Sequence, residues 1–193
     1  MGIEELYKRL EREAGEAAEY AGRRIVPGEG CADAPRVVFV GEAPGAEEDR
    51  AGRPFVGAAG RNLDIMLELL GRKRVDVYIT NLVKARPAKV HAVTGRVSNR
   101  PPTRGEVEFF LPYLREELAL LAPEYVVTLG NFALAALTGG AKAAIGTAHG
   151  TIVRAEHVLF PLYHPAAAIY NRKLASVMRE DVLKLRDVLE GIV

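Results

Sequence analysis

The sequence predicts an α/β fold: a three-layer α/β/α sandwich around a mainly parallel, four-stranded sheet, with residues 1–193 forming one domain. Three observations carry that expectation. Helix-type and strand-type stretches alternate along the chain. Four β-rich apolar runs are too short to be helices. Each run stops at a glycine or polar residue, namely Gly41-Glu42, Asn81, Gly130-Asn131 and His164. In an open parallel sheet such ends share one edge, and ligands bind outside that edge.

The elements follow in order. Ile3 to Tyr20 reads as a helix, with Leu6, Leu10, Ala14 and Ala17 at three- and four-residue steps and Gly22 as its stop. Residues 23–35 carry Pro27, Gly28, Gly30 and Pro35 and read as an irregular connector. Val37 to Val40 is the first buried strand. Gly41 to Gly57 reads as a loop bent at its glycines and prolines, and it holds Glu42, Glu47, Glu48 and Asp49 off any helix face. Gly60 to Leu70 is a helix with Leu63, Met66, Leu67 and Leu70 as its apolar stripe. Val75 to Thr80 is the second strand, ending at Asn81. Lys84 to Pro102 is a polar insertion in which HAVTGRVS can form a hairpin turning at Thr94-Gly95. Thr103 with Glu106 fits a capping box for a helix running to Leu121. Tyr125 to Leu129 is the third strand, and Asn131 to Leu137 is a short helix that Asn131 is expected to cap. Thr151 to Arg154 is a minor strand, Val158 to Tyr163 the fourth strand, and Arg172 to Leu189 a last amphipathic helix.

Composition excludes several classes. At 193 residues, 49% of them apolar, the chain can bury a proper core. No run is apolar and long enough to cross a membrane, and the charged start MGIEELYKRLEREAGE is no secretory signal, so an intracellular, cytoplasmic protein is expected. Cys31 is the single cysteine, which leaves no intramolecular disulfide and no cysteine-ligated metal site. Glutamine is absent while Arg and Glu abound, a leaning toward a thermophile. The net charge of +1 gives no strong global field, yet Val77 to Gly105 holds no acid and six bases, among them Lys84, Arg86, Arg96 and Arg100. Such a segment can track a phosphate backbone or be an ordinary solvated loop.

The residues at the strand ends suit one chemistry. An amide such as that of Asn81 offers an acceptor and donors in one plane, matching the N3–H and O4 edge of uracil and mismatching cytosine. An aromatic ring such as Phe55 can stack on a base taken out of a duplex, or simply fill the core. A histidine N–H at His164 can stabilise charge gathering on a departing base. Carboxylates can hold water or stabilise a cationic sugar. Together the set suits hydrolysis of an N-glycosidic bond. A nucleotide-phosphate site built on GEAPG is disfavoured, because four acids crowd the loop and no Lys-Ser or Lys-Thr ending follows.

GEAPGAEEDRAGRPFVGAAG (41–60) resembles the first motif of the thermophile-type, family-four uracil-DNA glycosylases. TNLVKARP (80–87) resembles that family's segment after the second strand, and HPAAAIYN (164–171) its second motif. The motifs stand in the family's order from about residue 24 to the last helix, apart from a longer segment near 88–100. The resemblance implies a uracil-DNA glycosylase-like fold in a prokaryotic monomer that acts on uracil-containing DNA, single- or double-stranded, without cutting the strand. It implies that Gly41, Glu42, Ala43 and Gly45 shape the uracil pocket, Phe55 stacks on the base, Asn81 reads its edge and His164 lies near O2. Glu42 and Glu48 are the candidates for handling water. Ala43 occupies the place of a catalytic Asp in better-known uracil glycosylases. Ile169 is the side chain expected to fill the gap left by the flipped nucleotide. A relative that binds DNA without catalysis, or one accepting a wider range of deaminated bases, remains an alternative.

One departure stands out. The family usually carries four cysteines for an iron–sulfur cluster. Here the third position is Ala85, the fourth Leu111, and the amino-terminal pair is missing. One thiolate cannot hold a cluster that needs four ligands, so no cofactor is expected and packing must replace the cluster as an anchor. The basic segment 86–104, with Arg96 and Arg100, is expected to take over part of the phosphate contact.

Overall fold

Strand β2 (Val37–Gly41) is the axis of the molecule: all five of its residues are buried. The computed structural model describes residues 2–140, 144–171 and 173–192. Helix α1 (Ile3–Glu16) comes first, then a two-residue strand β1 (Glu29–Gly30), β2, helix α2 (Ala46–Ala51) and helix α3 (Ala58–Leu69). Strand β3 (Tyr78–Asn81) follows, then the hairpin strands β4 (Ala88–Val90) and β5 (Val97–Asn99), helix α4 (Arg104–Leu121) and strand β6 (Tyr125–Leu129). Helices α5 (Asn131–Leu137) and α6 (Ile145–Ala148), strands β7 (Val153–Arg154) and β8 (Val158–Leu162), and helices α7 (Ala167–Tyr170) and α8 (Leu174–Leu189) complete the chain.

The sheet order is β1-β3-β2-β6-β8-β7. Its four inner strands are parallel, and the two-residue strands β1 and β7 pair antiparallel at the edges. The expected sheet therefore has four principal strands plus two short edge strands, one inside the stretch read as an irregular connector. Side chains alternate across β2, as strand geometry requires. Val38 and Val40 join Leu6, Leu10, Phe110, Leu114, Leu118 and Leu134 on the face covered by α1, α4 and α5. Val37 and Phe39 join Leu63, Leu67, Val182 and Leu185 on the face covered by α3 and α8. That is the three-layer sandwich.

After β2 the chain moves outward to β3 on one side, then returns to build β6 and β8 on the other. The order reverses at β2, and the crevice beyond the carboxyl ends of β2 and β6 is where such a sheet places a ligand.

Several boundaries differ from the sequence reading. Helix α1 stops at Glu16, and Tyr20 instead packs its ring against Phe109 and Phe110. The second strand starts only at Tyr78, because Arg74–Asp76 forms a 3₁₀ turn closed by Asp76 on the Lys73 N–H at 2.7 Å. Three of the four loop acids stand on α2, a helix the turn residues concealed. Asn131 does not cap α5. Gly130 does, at φ +88°, and Asn131 Oδ1 accepts the Ile145 N–H at 2.8 Å. The last helix begins at Leu174, and Arg172 lies outside the described residues.

Candidate active site

Beyond those strand ends lies a cavity of about 340 Å³ whose wall includes Ala43, Gly45, Glu48, Phe55, Asn81 and His164. The amide is fixed by the end of β3. The Leu82 N–H donates to the Gly41 carbonyl at 2.9 Å and the Val83 N–H to that of Glu42 at 3.0 Å, so β3 stays zipped to β2 just past Asn81. Asn81 is 3% exposed, and its Oδ1 accepts no hydrogen bond from the described residues. A buried acceptor left open is costly unless a ligand completes it. Gly41 is what lets the amide and the ring come together. A Cβ there would stand 2.4 Å from Asn81 Oδ1 and 2.5 Å from Phe55 Cζ.

Phe55 is held in a left-handed conformation, φ +53°, which a bulky residue adopts only when its surroundings impose it. Glu48 imposes part of it. Its Oε1 accepts the N–H groups of Val56 and Gly57 at 3.0 and 2.8 Å, and its Oε2 accepts that of Gly45 at 3.1 Å. Arg74 supplies the rest, donating to the carbonyls of Pro54 and Phe55. Glu48 thus splints the two sides of the loop while lining the cavity. Glu42, half-buried, does not line it, and burial raises its carboxyl above the ordinary range.

His164 faces Phe55 with ring centroids 5.8 Å apart and planes 31° from parallel. Its Nδ1 accepts the Ala166 N–H at 3.2 Å, so in the neutral ring the proton sits on Nε2. Burial holds the imidazole down at about 4, against the opposing pull of Glu48. It is therefore a neutral N–H donor across the physiological range. Asn62 Nδ2 donates to the Pro165 carbonyl at 2.8 Å and pins the following segment, where Ile169 stands 49% exposed at the cavity wall.

The basic segment divides differently from the expectation. Lys84 is not on the surface. It is 1% exposed and donates to Glu117 and Thr80, each at 2.5 Å, so it cannot meet a phosphate. Arg100 is also spent, holding both oxygens of Glu106 at 2.6 and 2.7 Å. Arg96 is exposed, and Arg86 is partly exposed with its Nε on Asn99 Oδ1 at 2.8 Å. Asn99 itself lines the cavity, a residue the sequence reading missed because only the hairpin pairing of β4 with β5 carries it there.

The cluster ligands of the resembling family do not fit this chain. Ala85 is 1% exposed and bridges to Ile25, Leu111 packs against the same core, and the Cys31 thiol reaches only the Asp33 carbonyl at 3.5 Å. Among the described residues, no three His, Cys, Asp or Glu side chains gather as a metal site.

Comparison with known proteins agrees with the geometry. Residues 27–186 match the uracil DNA glycosylase superfamily. The type-4 uracil-DNA glycosylase of Sulfurisphaera tokodaii is 40% identical over 172 residues, covering 84% of this chain and 74% of that protein. The type-4 enzyme of Pyrobaculum aerophilum is 41% identical, covering 83% and 81%. The type-5 uracil-DNA glycosylase of the same organism is 37% identical, covering 85% and 77%.

Proposed function

From the premise that the chain belongs to the uracil DNA glycosylase superfamily, we propose that it hydrolyses the N-glycosidic bond of deoxyuridine in DNA, releasing uracil and leaving an abasic site. The single observation that carries the reading is the open Oδ1 of Asn81, a buried acceptor on a residue that lines a cavity beside an aromatic face and a neutral imidazole.

Asn81 Oδ1 accepts uracil N3–H and Nδ2 donates to O4. Cytosine turns both polarities around and leaves buried groups unpaired. Phe55 offers the stacking face, and Gly41, Ala43 and Gly45 form the floor and wall of the loop. As the bond between C1′ and N1 breaks, its electron pair passes to the base, and His164 Nε2–H stabilises the charge at O2. Glu48 has three of its roughly four lone-pair positions taken by backbone N–H groups. The remaining one holds a water whose oxygen bonds to C1′ as its proton passes by way of the carboxylate to the departing uracil anion, and the fixed charge of Glu48 faces the cationic sugar. Glu42 supports the loop from outside the cavity. Ile169 enters the space left by the extruded nucleotide in a duplex. The enzyme acts as a monomer on single- or double-stranded DNA, and its anchoring runs through packed side chains where related chains use a cluster.

Oligonucleotides carrying one deoxyuridine, single- and double-stranded, test this directly by release of free base. Asn81→Ala should lower kcat/KM at least a hundredfold, about 2.7 kcal/mol, and abolish inhibition by free uracil. Tight binding with no base released by the unaltered protein would overturn the reading.

A further inference from the structure

Asp181 is a buried carboxylate that the uracil cavity does not use. It is 1% exposed, on the face of α8 that otherwise buries Met178, Val182 and Leu185. A charge in that setting is costly unless it is paired. Its partner is His149, just past α6, whose Nδ1 lies 2.7 Å from Asp181 Oδ2. An ionised carboxylate only accepts, so Nδ1 carries the proton and the ring has one orientation. Lys184, on the same helix, comes no nearer than 3.6 Å to Oδ1.

The chain is shaped around this pair. Gly150 has φ +66°, and a Cβ there would stand 2.1 Å from Asp181 Oδ1. Its N–H donates to the Pro161 carbonyl at 2.9 Å, which fastens residues 149–150 to β8. The His149 ring then lies against the Tyr163 ring, with centroids 4.8 Å apart and planes 40° from parallel. Tyr163 is the residue before His164. On the other side of His164, Asn62 holds the Pro165 carbonyl. The hydrogen bond that the His164 ring accepts comes from Ala166, within its own segment. The anchors of that segment therefore decide where Nε2 stands.

Resting on the uracil-excising reading, we propose that His149 and Asp181 are positioning residues for base release: the pair fixes Tyr163 and, through it, holds the His164 Nε2–H where charge gathers on the departing base. Neither residue touches the substrate. A donor of this kind must sit within about 0.5 Å of its productive place. A displacement of about 1 Å can cost about a hundredfold in rate.

The test uses single-deoxyuridine oligonucleotides with the full chain. His149→Asn keeps a donor for Asp181 and takes the ring off Tyr163. It should lower kcat about tenfold and change KM less than about threefold. Inhibition by free uracil and the melting temperature should be unchanged. His149→Arg, whose guanidinium can serve the carboxylate and lie on the Tyr163 face, should bring kcat back to within about threefold. In a His164→Ala background, His149→Asn should cost nothing further, because the pair acts only through His164. An NMR titration of the imidazoles reads the same effect without turnover. His164, held at about 4 by burial, should titrate higher in His149→Asn as its ring meets more water. An unchanged kcat would overturn the proposal, and so would equal losses with and without His164. A lower melting temperature with kcat intact would make the pair a structural peg and equally overturn it. Should His149→Asn not fold, Tyr163→Leu removes the other half of the stack and carries the same expectations. Failure of the unaltered protein to release uracil would instead overturn the parent reading. The His164 titration would still decide the positioning, since an unmoved value in His149→Asn overturns it.

Discussion

His164 shows how one side chain is prepared by its setting. Buried beside Phe55, with Nδ1 on the Ala166 N–H, it stays neutral down to about pH 4. Neutral imidazole donates one hydrogen bond without bringing a charge that would attract the phosphate backbone out of place. Replacing it with alanine should cost roughly 10²–10³ in kcat, the range for losing one donor to a developing anion. The pH dependence of stability has a definite sign. The folded state resists protonation until about 4, while the unfolded histidine protonates near its ordinary 6.5. The unfolded chain therefore binds more protons between those values, and stability falls as pH drops through that window, by roughly 3 kcal/mol at most. Denaturant titrations at pH 7 and 4.5 should show a smaller loss in His164→Gln than in the unaltered protein. The two acids are separable in the same way. Glu42→Gln should keep kcat within about tenfold. Glu48→Gln, which puts an amide where three N–H groups need acceptors, should lose at least ~10². The reverse ranking would move the water to Glu42.

The hairpin and its neighbour α4 show an element held by a charge that looked available. Thr103 and Glu106 form the capping box as expected, but Glu106 also receives Arg100 and lies within reach of Arg23. Burial would raise the Glu106 carboxyl, yet the Arg100 hydrogen bonds and the cap overcome it and bring it to about 2. A group lowered in this way stabilises the fold above its unfolded value near 4.5, and that contribution is lost as pH falls toward 2. Arg100→Ala should therefore destabilise the fold by about 3 kcal/mol at pH 7, because the buried carboxylate loses its two-pronged partner and keeps the cap N–H and the more distant Arg23. Arg96→Ala, at an exposed position, should stay within about 0.5 kcal/mol. Thermal melts of the two variants separate them. The sequence showed both arginines in one acid-free run. Nothing local distinguishes them, since the difference is made by Glu106, six residues away around a turn. The capping box, by contrast, was legible because its partners are three residues apart. The helix α2 was not, because Gly45 and Gly52 at its ends read as loop punctuation around only six residues.

Over the whole molecule, what the sequence disclosed was periodicity and strand ends. The alternation of helix and strand placed the layers, and the four strand ends placed Gly41, Asn81, Gly130 and His164 on one rim because a parallel sheet leaves no other arrangement. What stayed hidden were pairings across long separations. Lys84 is the clearest case. Its neighbours in TNLVKARP read as the start of a basic surface, but the side chain turns inward to Glu117, thirty-three residues on. Glu117 also receives the hydroxyls of Tyr7, Tyr78 and Thr80, so one buried carboxylate ties α1, β3, the segment after β3 and α4 together. Lys84, the cation of this knot, lies on the chain three residues beyond Asn81 and one before Ala85. Lys84→Met leaves three neutral donors on Glu117 and removes the cation, so the carboxylate remains buried with its charge uncompensated. The expected cost is 3–5 kcal/mol. Adding Glu117→Gln should recover part of it, because the amide oxygen still accepts hydroxyls and no charge is left to neutralise. Measured where the variant is still folded, the salt dependence of DNA binding should match that of the unaltered protein, since Lys84 meets no phosphate. A slope shallower by about 0.9 would place this ammonium on the DNA and overturn the knot as the account of where Lys84 points.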